Sequence, residues 1–227
     1  MPTHFSDKSI YFPELGDDEA IDTRAFLNAG RGIVAFCGFL GTGFLPVKND
    51  ISGNVEKVSA KFKTDENANS TLQKFVDLEI VDNGGKIVGA LQGLLWLKRG
   101  LEFICALYDM MITEYNNGNR SENIVPILKS AYEKSLKRHH NWVSKQLFNV
   151  VMLAAPHRTS LLKTIAGPGD YNEADVMKDM EQYLISMKRN VKVLVALFID
   201  KNLDSPEPHC SSNHTNTTLE QDGKLSK

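Results

Sequence analysis

The sequence predicts an all-α domain. Apolar residues recur at the 3.6-residue spacing of helices over most of the 227 residues, and glycines, prolines and capping residues separate the segments. No segment has the alternating pattern of a half-buried strand, and no repeat period suggests a solenoid. A hydrophobic content of 42% and a formal charge of -2 are typical of one soluble domain with a sizeable core.

Four helices are predicted in the first half of the chain. Asp22 or Thr23 caps the first, and the glycines at 41 and 43 end it. Pro46 suits the start of the second, because proline fits the first turn of a helix. The fourth is apolar on most faces, so we expect it at the centre of the domain. These four helices span about residues 23–40, 46–63, 70–82 and 86–115.

Four more helices are predicted in the second half. Pro156 ends the second of these, because proline cannot continue a helix. Their approximate bounds are residues 126–138, 140–155, 160–166 and 173–202.

Composition divides the chain into three parts. Residues 1–22 form an N-terminal segment, and residues 23–203 form the domain. Residues 204–227 are nearly devoid of large apolar side chains, so we expect a disordered polar tail that takes no part in the core.

A polar row runs along the second predicted helix. Asp50, Asn54 and Lys57 lie at i, i+4 and i+7, so a helix places an acceptor, an amide and a cation on one face. An apolar row runs beside it, which puts the polar row at the rim of the core; its members are Val47, Ile51, Val55, Val58 and Phe62. Such an arrangement suits an amphiphilic ligand, but a solvated face with an Asp/Lys pair is also compatible with it.

Two further segments add candidate residues. LLWLKRGL places Trp96 in an apolar helix, and KSLKRHHNW contains His140 and Trp142. A tryptophan in an apolar helix is usually a core residue, and a histidine pair beside basic residues is compatible with a surface turn. The residues alone leave both interpretations open.

The strings DISGNVEK, LLWLKRGLEFI, KRHHNW and LAAP occur in this order and together resemble the glycolipid transfer protein family over about residues 23–203. The resemblance implies a two-layer α-helical sandwich of about eight helices that encloses a cavity for lipid chains. It also implies non-enzymatic transfer of glycosphingolipids between membranes, with no cofactor.

The resemblance also implies a role for each candidate residue. Asp50, Asn54 and Lys57 would bind the first sugar of a glycosphingolipid, and Trp96 would stack beneath that ring. His140 would bind the ceramide amide, since a neutral imidazole offers one donor and one acceptor.

Trp142 is a candidate for membrane contact. An indole near a helix end, close to Lys137, Arg138 and Lys145, fits insertion at headgroup depth. We therefore expect transient contact with a membrane surface.

Several other function classes are disfavoured. The charge of -2 and the lack of a Lys/Arg block argue against nucleic acid. We find no nucleophile beside a base, no metal-spaced ligand set and no phosphate loop, so we expect neither an enzyme nor a metal protein. The apolar stretch that begins at Ile87 is too short and too charged to span a bilayer.

Cellular location is predicted from the cysteines and the N-terminus. Three cysteines without a metal or redox spacing indicate a reducing compartment. No apolar signal region follows the first residues, so we expect a cytoplasmic protein that is peripheral on membranes. We also expect a monomer.

The sequence leaves three alternatives open. Transfer of ceramide 1-phosphate or another sphingolipid is one: Asn54 and Trp96 stand where related phosphate carriers tend to have cations, but Lys98 and Arg99 lie nearby. The others are a glycolipid sensor and an all-α interaction module in which Trp96 is plain core. Residues 204–207 read DSPE and lack the aromatic residue that closes over the sugar in the family's animal prototype, so sugar and chain preference stay open.

Overall fold

The computed structural model describes residues 2–205. This part of the chain contains eight α-helices and no β-strand, apart from isolated bridges that join Asp22 to Thr71 and Asn123 to His157. The all-α prediction is therefore confirmed. The helices are α1 (Thr23–Phe39), α2 (Leu45–Phe62), α3 (Leu72–Asp82), α4 (Gly89–Asn116), α5 (Val125–Lys134), α6 (Trp142–Leu153), α7 (Arg158–Ala166) and α8 (Glu173–Asp200).

Short polar side chains fix where several helices begin. Asp22, Thr71, Asn141 and Asn172 precede α1, α3, α6 and α8, and each accepts a hydrogen bond from a backbone N–H in the first turn. These bonds satisfy donors that have no partner within the helix. The starts of these helices are thus local consequences of sequence.

Three predicted boundaries are wrong in ways that matter for the site. Val88 is extended (φ -135°, ψ 170°) and Gly89 has φ 55°, so α4 begins three residues later than predicted. Ser135 leaves the helical conformation (φ -124°, ψ -75°), so α5 ends at Lys134. Because α6 begins only after the Asn141 cap, His140 lies in the α5–α6 connection and not on a helix.

Helix α4 is central, as its all-round apolar pattern predicts. It packs against α2, α3, α5 and α8, while α1 packs against α2 and α7. Buried aromatic side chains fill the interface between α4 and α8, where the rings of Tyr108 and Tyr183 are 6.2 Å apart. None of the helices within residues 2–205 combines the length and the apolar character needed to cross a bilayer.

A buried carboxylate holds the start of α4. Glu79, on α3, accepts a hydrogen bond from the backbone N–H of Leu91 at 3.1 Å and forms an ion pair with Lys61 Nζ at 3.0 Å. Its partners offset the cost of burying the charge. This contact fixes α4 relative to α2 and α3.

The N-terminal segment belongs to the core. Phe5, Phe12 and Ile21 are almost completely buried, and Asn190 on α8 donates to the carbonyl of Pro13 at 2.8 Å. The segment has two short 3-10 helices and no α-helix, so helical periodicity gave no sign of this packing.

The C-terminal end of the described chain departs from expectation. Asp204 was assigned to a tail with no share in the core, but its side chain is 4% exposed and forms ion pairs with Lys98 and Arg99. That assignment is wrong for Asp204, because the buried Lys98 and the partly buried Arg99 on α4 bind its carboxylate. The rest of the predicted tail, from residue 206 onward, lies outside the described residues.

Candidate functional site

A cleft of about 500 Å³ lies between α2, α4, α6 and the α5–α6 connection. Its size is within the range of small-molecule sites. Five predicted site residues line it together: Asp50, Asn54, Lys57, Trp96 and His140. Trp142, the sixth, does not line the cleft.

The polar row forms a chain of weak hydrogen bonds along α2. Asn54 is 4% exposed; its amide nitrogen donates to Asp50 Oδ2 at 3.4 Å, and its amide oxygen accepts from Lys57 Nζ at 3.5 Å. These distances are at the long end for hydrogen bonds. The carboxylate and the ammonium group therefore keep most of their capacity for ligand hydroxyls.

A glycine brings α4 close to the polar row. A Cβ atom at Gly93 would lie 3.1 Å from Lys57 Cβ and 3.4 Å from the carbonyl oxygen of Asn54. Only a residue without a side chain allows this approach at no cost. As a result Gln92 and Trp96, on either side of Gly93, both line the cleft beside α2.

Trp96 is half-buried and shares the cleft with His140. The two ring centroids are 6.0 Å apart, and their planes are inclined by 36°. The guanidinium carbon of Arg99 lies 4.9 Å from the centroid of the Trp96 ring, at cation–π distance. Trp96 is thus in contact with the core while part of its surface faces the cleft.

His140 is held by an aromatic pair. Its Nδ1 atom lies 3.1 Å from Tyr132 Oη, and the Tyr132 ring stacks on Phe148 with centroids 3.9 Å apart. Within the described residues, His140 Nε2 forms no hydrogen bond. One ring nitrogen is therefore engaged by the protein and the other is available to a ligand.

Burial lowers the pKa of the His140 imidazole. The nearby Asp50 opposes this shift, whereas Lys145 and Arg99 add to it. A pKa below the ordinary value near 6.5 leaves the ring neutral at pH 7, with one donor and one acceptor.

Burial also raises the pKa of the Asp50 carboxyl, and Lys57 and His140 act in the opposite direction. Asp50 nevertheless lies at the open rim of the cleft, where the residue is exposed to solvent. Its carboxylate is therefore accessible to ligand hydroxyls, and the nearby Lys57 and His140 favour its ionised form.

The remaining lining of the cleft is mostly apolar. Buried side chains from α2, α4, α6 and the α5–α6 connection contribute: Ile51, Phe103, Leu136, Phe148 and Val151. A polar row thus faces an apolar wall within one cleft. That arrangement suits an amphiphile.

Trp142 lies on an exposed apolar surface of α6. Its side chain is 73% exposed, and Leu147, Val150 and Leu153 on the same helix are also exposed. We call these four residues the α6 apolar surface. Large contiguous apolar patches on a protein surface are typical of interaction sites.

Sequence reasoning missed several residues of the cleft. Gln92 precedes Trp96 by one helical turn, so helical spacing was an available signal for it. Phe148, which also lines the cleft, and Tyr132, which lies behind His140, had no such signal, because their contacts with His140 join different elements.

The fold and the cleft are those of an all-α protein with a cleft that suits an amphiphilic molecule. The chain matches the family model described as glycolipid transfer protein over residues 21–167. The chain therefore belongs to the glycolipid transfer protein family, a family of glycolipid and sphingolipid transfer proteins.

Similar proteins come from several animals. The glycolipid transfer protein of Danio rerio is 30% identical over 196 residues, which are 85% of this chain and 94% of that protein. Pleckstrin homology domain-containing family A member 8 of Homo sapiens is 34% identical over 216 residues, which are 91% of this chain but 40% of that protein.

Solved structures share the fold. A structure that describes how FAPP2 selects simple glycosphingolipids is 34% identical, with a TM-score of 0.76 over 90% of this chain and 98% of that one. HET-C2, a fungal glycolipid transfer protein, is 29% identical, with a TM-score of 0.72 over 88% of this chain and 97% of that one. The predicted family and fold class are confirmed.

Proposed function

We propose that this protein carries glycosphingolipids between membranes, without a covalent step. Asp50, Asn54 and Lys57 bind the first sugar, Trp96 stacks on it, and His140 binds the ceramide amide. The observation that carries this proposal is that these five side chains line one largely apolar cleft.

The polar row matches the chemistry of a sugar. A carboxylate, an amide and an ammonium group together accept from and donate to several hydroxyls. Each such bond contributes about 0.5–1.5 kcal/mol, or about 1.5–3 kcal/mol when one partner is charged. Burying a chain of about sixteen carbons contributes on the order of 10 kcal/mol. The apolar wall therefore retains the lipid, and the polar row selects among headgroups.

The charges of the cleft favour a neutral headgroup. Lys57 is the only lysine or arginine among the described lining residues, and Asp50 lies on the same row. A phosphate needs several unpaired cations. A similar protein, FAPP2, is described as selecting simple glycosphingolipids, which agrees with a neutral sugar here.

The α6 apolar surface is the proposed membrane contact. Trp142 sits at the first turn of α6, and Leu147 belongs both to this surface and to the cleft lining. A bilayer that covers the surface would thus lie next to the cleft. Lipid could then pass between the two with little exposure to water.

The test is transfer of fluorescent glucosylceramide between vesicles, with ceramide 1-phosphate in parallel. We compare wild type, Asp50→Val and Glu56→Val; Glu56 is an exposed acidic residue of α2 outside the cleft lining. We expect Asp50→Val to lose at least about ten-fold in glycolipid transfer. Glu56→Val should transfer like wild type, and circular dichroism should show that both variants are folded.

Each other outcome contradicts part of the proposal. Normal glycolipid transfer by folded Asp50→Val would exclude the headgroup role of the polar row. Transfer of ceramide 1-phosphate alone would assign a phosphate headgroup. Glycolipid uptake without transfer, seen as a blue shift of tryptophan emission, would indicate a sensor, and neither uptake nor transfer would indicate an interaction module.

A further inference from the structure

One carboxylate binds two adjacent cations beside the cleft. Asp204 follows the end of α8, and its Oδ2 atom lies 2.9 Å from Lys98 Nζ. Arg99 binds the same carboxylate through two nitrogens, with Nη2 2.7 Å from Oδ1 and Nε 3.2 Å from Oδ2. This two-point geometry is the strongest that arginine forms with a carboxylate.

Both cations are largely removed from water. Lys98 is 2% exposed and also binds Glu102 Oε2 at 2.9 Å, and the Arg99 side chain is 14% exposed. Although burial acts to raise the pKa of Asp204, hydrogen bonds from Arg99 and Lys98 hold it well below its usual value. The carboxylate is therefore ionised at pH 7. Glu102, the second carboxylate of the cluster, is shared between Lys98 and Arg138, whose Nη2 atom lies 4.0 Å from Glu102 Oε1.

Arg99 connects this cluster to the cleft. Its guanidinium carbon lies 4.9 Å from the Trp96 ring centroid, and its charge contributes to the lowered pKa of His140. The positive charge of Arg99 thus acts on Trp96 and His140, which are two residues of the proposed headgroup site. The group that neutralises Arg99 therefore affects the electrostatic potential at the proposed headgroup site.

We propose that Asp204 determines headgroup specificity: it neutralises Lys98 and Arg99 next to Trp96, and so keeps the site selective for an uncharged sugar over a phosphate. This inference deepens the proposed function and rests on it. Asp204 acts through Arg99 and does not itself line the cleft, so it is a positioning residue.

The physical reason is the balance of charge. Without Asp204, Arg99 keeps an unpaired positive charge about 5 Å from the Trp96 ring, and this charge attracts an anionic headgroup. This attraction should change selectivity on the order of ten-fold, which corresponds to about 1.4 kcal/mol. Asparagine at 204 keeps the size of the side chain but removes its charge.

The first experiment measures transfer of glucosylceramide and ceramide 1-phosphate by wild type and Asp204→Asn. We expect the ratio of ceramide 1-phosphate to glucosylceramide transfer to rise on the order of ten-fold in the variant. The control is Glu102→Gln, which removes the other carboxylate of Lys98 but leaves the Asp204–Arg99 pair in place. Its ratio should stay near that of wild type.

The second experiment needs no lipid. The chain has two tryptophans, so Trp142→Phe leaves Trp96 as the sole emitter. In that background we compare quenching by iodide, an anion, with quenching by neutral acrylamide. An unpaired charge about 5 Å away raises the local anion concentration about three-fold in dilute salt. We expect Asp204→Asn to raise the iodide-to-acrylamide ratio by that amount, and Glu102→Gln to leave it unchanged.

The two experiments separate this inference from the proposed function. If wild type transfers glucosylceramide but Asp204→Asn changes neither ratio, the role of Asp204 is wrong and the proposed function stands. If wild type transfers no glycolipid, the proposed function fails and the headgroup role of Asp204 fails with it, whatever the quenching shows. Similar changes in Asp204→Asn and Glu102→Gln would assign the effect to net charge alone, which also overturns the inference.

Discussion

The phenolic oxygen of Tyr132 lies 3.1 Å from Nδ1 of His140, so a residue of α5 orients the imidazole of the connection that follows it. His140 lies in a connection and not on a helix, so helical geometry does not fix its position. Tyr132 is itself held by stacking on Phe148. The position of His140, the residue proposed to bind the ceramide amide, therefore depends on an aromatic contact between α5 and α6.

Tyr132→Phe should weaken transfer and leave the fold intact. The variant keeps the ring that stacks on Phe148 but loses the hydrogen bond to His140. The loss of one such bond, worth about 1 kcal/mol, should lower glycolipid transfer about five-fold. Vesicle transfer measures this effect, and histidine ¹H–¹⁵N spectra should show a changed tautomer ratio for His140.

Tyr11→Phe is the matched control for this prediction. Its hydroxyl is buried without a hydrogen-bond partner in the described part of the chain, so its removal should change neither transfer nor the histidine spectra. Equal transfer by Tyr132→Phe and wild type would show that the Tyr132 contact does not set the position of His140.

The polar row was predictable from sequence because its spacing is local. Asp50, Asn54 and Lys57 lie within two turns of one helix, so periodicity alone places them on one face. Trp96 and His140 needed the family strings, since nothing within one helix relates them to that face. The cleft that joins all five follows from helix packing, which periodicity does not describe.

The features that sequence did not predict all depend on contacts between distant elements. Asp204 was assigned to the tail because its neighbours are polar, but Lys98 and Arg99 bind it across 105 residues or more. Phe5 and Phe12 enter the core from 3-10 helices and loops, which have no regular apolar spacing. Single-segment patterns contain no information about such partners.

Gly93→Ala should perturb the polar row through α2. The added Cβ would lie 3.1 Å from Lys57 Cβ, so α2 must shift by a few tenths of an ångström. We expect a net loss of about 1 kcal/mol in the free energy of unfolding, together with reduced glycolipid transfer. Urea denaturation and the vesicle assay measure the two effects.

Gly53→Ala tests whether any alanine in this region has the same effect. Gly53 lies on α2, and a Cβ there meets nothing within 4 Å. This variant should gain up to about 1 kcal/mol of stability, because alanine favours helices over glycine. If Gly93→Ala were as stable and as active as Gly53→Ala, the close approach of α4 would be unimportant to the site.

Trp142→Ala should reduce the affinity for vesicles and have little effect on the free energy of unfolding. The side chain is 73% exposed, so its loss leaves no cavity. Transfer of its indole into a bilayer interface should account for a several-fold change in vesicle affinity, measured by flotation. Ile185→Ala, which removes a 68% exposed residue of α8, is the control and should bind vesicles like wild type. Equal losses in both variants would assign the effect to general surface hydrophobicity.

The Asp204 ion pairs should make stability depend on acid pH in a predictable direction. The pKa of Asp204 is lower in the folded chain than the value near 3.9 of an unfolded chain, because Arg99 and Lys98 bind its ionised form. Its contribution is therefore complete above the unfolded pKa and is lost as the pH falls through the lower folded pKa. Removing one partner of a buried ion pair costs about 3 kcal/mol.

Urea unfolding of wild type and Asp204→Asn measures this contribution directly. At pH 7 the variant should be less stable by about 3 kcal/mol, and the difference should shrink as the pH falls below about 4. Asp109→Asn, which removes an exposed ion pair with Lys188, should cost less than about 1 kcal/mol at any pH. A difference for Asp204→Asn that stayed constant down to pH 2 would mean that asparagine at 204 is destabilising through its shape, and that the charge of Asp204 does not hold the C-terminal end of α8 against α4.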